Sequence, residues 1–413
     1  MNSIRSIIHR ISVLGALVAS SLVSAQELET LIEVALANNP EIQQFEVQYQ
    51  RVSEKVNEVN TLPNTDFGLG YFVSEPETRT GAQRFKVSAK QMLPWFGTIT
   101  SRANYANAMA EATFVDIVIA KRKLVASVSS AYYDLYANKE KQALLDDNLT
   151  LLQTYEQLAL TSVEVGKASA VDVLRLQMRQ NEMQQLKAIL QEEYKATAIK
   201  LNNLLNRQKE ASITLVTNLE LPTKALEVTT QNLDFHPELL KYEKLYASVE
   251  QSELLHQKEN KPMIGFGVDY INVSERPNMT FTDNGKDIIM PMAAISIPIF
   301  NSKNKAVSKQ NDLRQQEILF QKQQRRNHLE TLLATAVSKL HSARIRHESQ
   351  TQNLKQAKDA EQILLKSYET GTIDFTDVLA IQELQLNIEM NRIAAIENYY
   401  LQMTIINYLT ARS

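Results

Sequence analysis

Two aspartates occupy the same place in a motif that occurs twice in the chain. Asp172 lies six residues after Gly166, Asp377 lies six residues after Gly371, and each aspartate is followed by Val-Leu. An aspartate near the start of a helix can accept hydrogen bonds from backbone N–H groups, and its charge interacts favourably with the helix dipole. One interpretation of the residue type and the spacing is therefore a pair of matching helix caps.

The sequence offers no other residues in a pattern that suggests chemistry. His328, His341 and His347 lie in one predicted helix at spacings of 13 and 6 residues, whereas histidines that share a metal on a helix are three or four residues apart. The chain has no cysteine, which excludes disulfides and thiolate catalysis. Its 44 basic and 47 acidic residues give no basic excess for nucleic acid. We therefore predict no enzyme, no cofactor, no metal site and no nucleic-acid partner.

A glycine turn precedes each aspartate. The two turns are Val165-Gly166-Lys167 and Thr370-Gly371-Thr372. A glycine just after a helix can adopt the left-handed conformation, which lets the chain reverse. The segments 98–165, 167–221, 302–370 and 372–413 contain neither glycine nor proline. Helices over 98–165 and 302–369 would each be about 100 Å long, so the turns predict the tips of two long helical hairpins.

Two glycine-rich windows interrupt the helical segments and alternate in polarity. In 65–92 and in 263–297, apolar residues such as Phe67 and Leu69 recur at every second position. Alternation of this kind predicts strands with one apolar and one polar face, so each window predicts a β-hairpin. Pro291 lies within the last of these strands, where we expect a bulge or weakened pairing.

The whole arrangement occurs twice. Each half contains a short helix, a hairpin, a very long helix, a tip and a return helix, which divides the mature chain into repeats over 26–222 and 223–413. The return helices are predicted over 168–206 and 374–411. Residues 1–25 combine a basic start with an apolar run that ends in Val-Ser-Ala, which predicts a signal peptide for export.

The strand pattern also fits a membrane sheet. Strands of about 9–11 residues can cross a bilayer when tilted, and alternating faces suit a wall between lipid and water. Trp95 and Phe96, at the base of the first hairpin, are placed as membrane-interface anchors. Because open sheet edges are not viable in lipid, four strands need further chains, with two chains giving eight strands and three giving twelve. A soluble sheet covered by helices is the alternative that this pattern leaves open.

Taken together, these features resemble the TolC family of outer-membrane efflux channels. The resemblance rests on the signal peptide, the paired hairpins, the Pro-Trp-Phe-Gly turn at 94–97 and the two tip motifs. It implies a mainly α protein with membrane β-structure, in which a homotrimer forms a 12-stranded β-barrel continuous with a 12-helix periplasmic α-barrel. The implied partners are a periplasmic adaptor protein, an inner-membrane pump of the RND type and outer-membrane lipid.

The same resemblance implies roles for individual residues. Residues 165–167 and 370–372 match the tips at which the helical hairpins of the adaptor dock. Asp172 and Asp377 match inward-facing aspartates near a closed periplasmic mouth, where threefold symmetry would form carboxylate rings and a cation-selective constriction. Tyr368 matches a tyrosine of the closing network. Helix capping alone for the aspartates, and a C-cap without a docking partner for the glycines, remain alternative interpretations.

Two positions depart from the family pattern. Ala380 stands where some members have a second aspartate, and Ile373 stands where they have an arginine, so we expect fewer polar links to hold the mouth closed. The predicted function is the outer-membrane exit duct of a tripartite efflux or secretion system, a passive conduit that opens at its periplasmic tip when docked to adaptor and pump. The alternative is a soluble periplasmic coiled-coil adaptor or scaffold without a pore.

Overall fold

The computed structural model describes residues 27–164, 169–223, 230–299, 302–370 and 372–410. Within them the chain is mostly helical, with strands in two separate stretches of sequence. Three of the predicted features lie outside the described residues: the signal peptide over 1–25, the first tip at Val165, Gly166 and Lys167, and Gly371 of the second tip.

The described chain forms two compact units, and each unit draws on both halves of the sequence. Unit 1 combines described residues of 27–44, 118–236 and 326–410, and unit 2 combines those of 45–117 and 237–325. These units therefore do not coincide with the two predicted repeats, which stay a proposal about the organisation of the sequence.

Seven α-helices lie within the described residues. They are α1 (27–38), α2 (Pro40–Val59), α3 (Thr98–Glu164), α4 (Ala170–Leu204), α5 (Pro237–Glu259), α6 (Ser302–Glu369) and α7 (Phe375–Thr410). The helices α3 and α6 run for 67 and 68 residues because no glycine or proline interrupts them. By contrast, α4 ends two residues before the predicted position, since Asn206 adopts a positive φ of 50° that a helix cannot continue through. None of the described helices is both long enough and apolar enough to cross a membrane.

The apolar spacing of the long helices places their side chains in the core of unit 1. Leu124, Val128 and Leu135 of α3 and Leu333 and Leu340 of α6 are all buried. Residues of α3, α4 and α7, which include Leu149, Leu176 and Val378, share a cluster of buried apolar side chains. Each fully buried leucine stabilises the fold by about 1.5–3 kcal/mol relative to an exposed one, so these rows of residues hold the long helices together.

A connector without regular structure, residues 212–223, is bound to unit 1 by tyrosines. Tyr132 and Tyr136 of α3 accept hydrogen bonds from connector N–H groups at 2.9 and 3.0 Å. Tyr400 of α7 donates to a connector carbonyl at 2.5 Å. These hydroxyls satisfy backbone groups that have no partner in a helix or sheet, and burial raises the pKa of Tyr132 and of Tyr400, which keeps both protonated.

The sheet of unit 2 joins both predicted hairpins. Its strands are β1 (Thr65–Tyr71), β2 (Glu77–Thr78), β3 (Gly81–Leu93), β4 (Met263–Val273) and β5 (Ile288–Ser296). The order is β1-β3-β4-β5, every pairing is antiparallel, and the short β2 pairs with the start of β3. Pairing between β3 and β4 therefore makes one sheet from strands that are about half the chain apart in sequence.

The prediction of a bulge at Pro291 is wrong. Pro291 is paired with Val268 in an unbroken register along β4 and β5. Within one chain β5 lies at an edge of the sheet, and a residue without an N–H group is tolerated in an edge strand. The register shift instead lies in β3, between Gln83 and Phe85.

The loop ends of the two hairpins meet at Gly81, where β3 begins. Gly81 has a φ of 135°, and a Cβ atom there would lie 1.8 Å from the carbonyl oxygen of Ser274. Only glycine combines this backbone conformation with so close an approach. Gly81 therefore allows the loop ends of the two hairpins to contact each other.

Candidate functional site

The register of the sheet separates an apolar face from a polar one, as the alternation predicts. Phe67 is paired with Ala89, which in turn is paired with Val268, and residues that lie opposite each other share a face. The exposed large apolar side chains of this face are Phe67, Leu69, Tyr71, Val87, Phe266, Val268, Ile289 and Ile295. Phe67 and Leu69 are 78% and 82% exposed, so this chain by itself leaves a broad apolar surface uncovered.

The opposite face of the sheet carries charged side chains. Lys86 of β3 forms an ion pair with Asp269 of β4, whose side chain is fully buried. Asp66 and Lys90 are paired with each other. They lie on the same face as Lys86, because side chains alternate between the two faces along a strand. Because the ion pair joins β3 to β4, it also joins the first hairpin to the second.

A turn with two aromatic residues connects β3 to α3. The rings of Trp95 and Phe96 make an edge-to-face contact at 5.9 Å, and Phe96 is exposed. Gly97 has a φ of 80°, and the backbone N–H of Thr98 donates to the Trp95 carbonyl at 3.0 Å. The turn thus leaves the Phe96 ring exposed where β3 ends, and the role of an interface anchor stays a prediction.

The structure shows that Asp172 caps α4. Val171 N–H donates to Ser169 Oγ at 3.2 Å, and Ser169 N–H donates to Asp172 Oδ2 at 3.4 Å, which makes a reciprocal capping box. Asp172 Oδ1 also lies 3.8 Å from the guanidinium of Arg175, and the aspartate side chain is only 18% exposed. Both oxygens of this carboxylate are therefore engaged within its own helix.

Asp377 differs from Asp172 although its motif is the same. It lies in the first turn of α7, where its backbone N–H donates to the Asp374 carbonyl at 3.2 Å. Its side chain is exposed, and within the described residues its carboxylate forms no hydrogen bond or ion pair. Of the two predicted aspartates, Asp377 is the one whose charge is available to a solute.

The described residues of the second tip close the end of α6. The hydroxyls of Thr370 and Thr372 both donate to the Ser367 carbonyl, at 2.9 and 2.8 Å, and Thr372 N–H donates to the same oxygen at 3.0 Å. These bonds satisfy carbonyl groups that a helix end leaves free. The C-cap interpretation concerned Gly166 and Gly371, which lie outside the described residues, so it stays an alternative, and the threonine bonds do not conflict with a docking role.

Tyr368 belongs to an aromatic group beside this tip. Its ring centre lies 5.1 Å from that of Phe375, which in turn lies 5.7 Å from that of Tyr155. Phe375 is buried, and Tyr368 and Ile373 pack against the same apolar cluster. Ile373, which stands where some family members have an arginine, therefore contributes apolar packing.

Two arginines of α4 contact side chains of α7, a feature that the sequence interpretation missed. Arg175 donates to Thr376 Oγ1 of α7 at 2.8 Å while it contacts Asp172. One turn later, Arg179 lies 3.4 Å from Glu383 of α7. Asp172 is thus linked through Arg175 to the residue next to Asp377, although the two motifs are more than 200 residues apart in sequence.

A groove of about 370 Å³ lies beside these links. Its walls include Met178 and Arg179 of α4 and Leu379, Ala380 and Glu383 of α7. Ala380 keeps the groove open because its side chain is small. The chain thus has a concave surface between the return helices α4 and α7, at the position where some family members have a second aspartate.

Solved outer-membrane channels have the same fold as this chain. The outer-membrane channel OprN matches with a TM-score of 0.76 at 19% identity, covering 94% of this chain and 90% of its own. CusC, described for its transmembrane channel formation, matches with a TM-score of 0.77 at 14% identity, covering 94% and 92%. The open state of MtrE from Neisseria gonorrhoeae matches with a TM-score of 0.71 at 16% identity, covering 93% and 88%. The fold is therefore that of an outer-membrane channel.

The sequence itself also matches a family. Residues 31–207 match the family described as outer membrane efflux protein. Among curated proteins, no sequence matches the chain. The family match and the shared fold confirm the resemblance to the TolC family that the sequence predicts.

Proposed function

We propose that this protein is the outer-membrane exit duct of a tripartite efflux or secretion system, a passive conduit for solutes. The observation that carries the proposal is the sheet, whose exposed apolar face lies opposite a face with Lys86 and Asp269. Such a sheet suits a boundary between lipid and water. A soluble adaptor or scaffold would leave the apolar face in water, which monomeric soluble proteins avoid, so the duct is favoured over that alternative.

The edges of the sheet support assembly from several copies. Within the described residues, β1 pairs only with β3 and β5 pairs only with β4, so each has an outer edge without a partner strand. An open edge in lipid leaves backbone N–H and C=O groups unsatisfied at a cost of several kcal/mol each. We propose that β1 of one copy pairs with β5 of the next, and that three copies close a twelve-stranded barrel.

The surface of α4 supports the same assembly. Val173, Leu176 and Met183 are buried within unit 1. A second set of apolar side chains lies on the other side of the helix and is 41–60% exposed: Val171, Leu174, Met178, Leu186 and Ile189. A helix with apolar side chains on two opposite faces buries both when it lies between two neighbours. The second face therefore needs a partner that this chain does not supply.

We propose that the partner of this second face is α6 of the neighbouring copy. Within the described residues, no hydrogen bond or ion pair joins α4 to α6 of the same chain. The exposed residues Ile345 and Ile363 of α6 are 18 residues apart, or about five helical turns. Val171 and Ile189 of α4 are separated by the same distance, so the two apolar rows match in length.

Substitution in the α4 row tests the trimer. Leu174→Glu combined with Met178→Glu places six charges per trimer in the proposed contact, and each buried side chain lost costs about 1.5–3 kcal/mol. We expect the detergent-purified protein to change from trimer to monomer in native mass spectrometry. The matched control is Glu192→Ser, at an exposed position of the same helix. Trimers that persist in the double variant would exclude this interface.

We propose that the closed mouth of the duct is formed by Asp172, Asp377 and Tyr368. Asp377 has the free carboxylate that a cation-attracting ring requires, and Tyr368 contacts Phe375, the first residue of the same helix. Asp172 would take part through Arg175, which contacts α7. A solved relative is described in an open state, and we propose that this mouth opens in the same sense when the partners dock.

For docking, we propose that the tips at Val165, Gly166 and Lys167 and at Thr370, Gly371 and Thr372 receive the periplasmic adaptor. The adaptor would connect the duct to an inner-membrane pump, for which we propose the RND type. Gly371→Pro is expected to abolish export in a strain that lacks the native gene while trimers still assemble. The control is Thr370→Ser, which keeps the hydroxyl that caps α6. Undiminished export by the proline variant would argue against docking at this tip.

Cell fractionation tests the proposed location. We expect the mature protein to remain with outer membranes after washing at high salt and to require detergent for release, because the apolar face of its sheet contacts lipid. The protein would instead appear in the detergent-free periplasmic extract if the soluble alternative were correct.

A further inference from the structure

A partly buried carboxylate lies among the helices next to the two turns. Glu361 of α6 accepts hydrogen bonds from Tyr155 of α3, at 3.3 Å, and from Gln385 of α7, at 2.8 Å, and it also accepts one from Gln382 of α7. Gln385 continues the network to the Ala357 carbonyl at 3.0 Å. One side chain of α6 therefore binds both α3 and α7.

This network is surrounded by apolar side chains. Tyr155, Gln382 and Gln385 are 5%, 6% and 9% exposed, and Tyr155 belongs to the apolar cluster of unit 1. Burial, together with the nearby charge of Glu361, raises the pKa of Tyr155 to about 12, so its hydroxyl is protonated and donates. Buried amides and hydroxyls cost free energy when they lose their partners, so the two glutamines and the tyrosine favour the helix arrangement in which Glu361 can accept from all three.

The network is continuous with the proposed mouth. The ring of Tyr155 contacts Phe375, the first residue of α7, and Phe375 contacts Tyr368. Gln382 lies on the same helix as Asp377, five residues further along. A movement of the start of α7 away from α3 and α6 would therefore break hydrogen bonds to Glu361.

We propose that Glu361 is a positioning residue that holds the first turns of α7 against α3 and α6 and so keeps the mouth closed. The inference rests on the proposed function, and it deepens that proposal by naming what resists opening. It also explains how a mouth with Ile373 and Ala380 in place of charged residues stays closed, because the hydrogen bonds to Glu361 hold α7 in place.

Single-channel recording of purified trimers in planar bilayers tests this inference. Glu361→Leu removes the acceptor of all three hydrogen bonds, and we expect the fraction of time spent open to rise more than about tenfold, since each bond contributes about threefold. Glu361→Gln keeps one acceptor oxygen and is expected to give an intermediate value. Tyr155→Phe removes one donor, keeps the ring contacts and should raise the open fraction about threefold.

The control variant removes apolar packing and keeps the hydrogen bonds to Glu361. Leu364 packs against the same apolar cluster, one turn after Glu361, so Leu364→Ala is expected to lower the unfolding temperature while the open fraction stays within about twofold of the wild type. The inference is overturned if Glu361→Leu and Tyr155→Phe open no more often than the wild type, or if Leu364→Ala opens as often as Glu361→Leu. A wild-type protein that forms no pore would instead overturn the proposed function, and this inference with it.

Discussion

Asp172 and Asp377 have the same place in the repeated motif, yet the structure predicts that their removal has different consequences. Asp172 accepts the Ser169 N–H and contacts Arg175, whereas the carboxylate of Asp377 is exposed. We therefore expect Asp172→Ala to loosen the start of α4 and Asp377→Ala to leave the start of α7 intact. Both substitutions remove one negative charge per protomer.

The magnitude follows from the contacts that each carboxylate makes. Loss of a helix cap costs about 1 kcal/mol, and loss of a partly exposed ion pair such as the one with Arg175 costs about 0.2–1 kcal/mol. A total of about 1–2 kcal/mol corresponds to a roughly 5–30-fold increase in local opening. Asp377→Ala, at an exposed position without a partner, is expected to change stability by less than about 0.5 kcal/mol.

Hydrogen exchange measured by mass spectrometry distinguishes the two variants. We expect faster exchange at the start of α4 in Asp172→Ala and unchanged exchange at the start of α7 in Asp377→Ala. Asp172→Asn is the matched control, because its amide oxygen can still accept from Ser169 while the charge is lost. In reversal-potential measurements across a salt gradient, Asp377→Ala should reduce the preference for cations. Unchanged exchange in Asp172→Ala, or unchanged selectivity in Asp377→Ala, would refute this reasoning.

Two further variants test contacts within unit 2 and within unit 1. Lys86→Met leaves the buried carboxylate of Asp269 without its cation, which is expected to cost about 3–5 kcal/mol and to lower the yield of folded trimer in detergent; a wild-type yield would show that this ion pair is dispensable. Tyr132→Phe removes the acceptor of the Val216 N–H and should reduce the free energy of unfolding by about 1–3 kcal/mol, measured by denaturant titration, whereas equal stability would mean that another group satisfies this N–H.

Local patterns in the sequence predict local structure well. The alternation that begins at Phe67 predicts the apolar face of β1, because side chains of a strand point to opposite faces in turn. Asp172 is predicted as a helix cap from its position after a glycine turn, and the capping box confirms it. Two local predictions are wrong. The carboxylate of Asp377 accepts no capping hydrogen bond within the described residues, and no bulge lies at Pro291, since the tolerance of proline depends on whether the strand lies at an edge.

Contacts between distant segments could not be predicted from the sequence. Nothing in the residues around Glu361 shows that Tyr155 and Gln382 approach it, because these three positions come from different helices. The pairing of β3 with β4 was missed for the same reason: two hairpins with similar patterns do not reveal whether they adjoin. Pairing partners are set by the packing of the whole chain, which alternation and helical spacing do not encode.

Conductance is the most direct test of the central claim that this protein is an outer-membrane duct. Detergent-purified wild-type trimers would be added to one side of a planar lipid bilayer and recorded at fixed voltage in symmetric salt. We expect discrete, stable current steps that remain cation-selective and that disappear when the double variant of Leu174 and Met178 prevents trimer formation. Folded wild-type protein that inserts into the bilayer and passes no current would contradict the account.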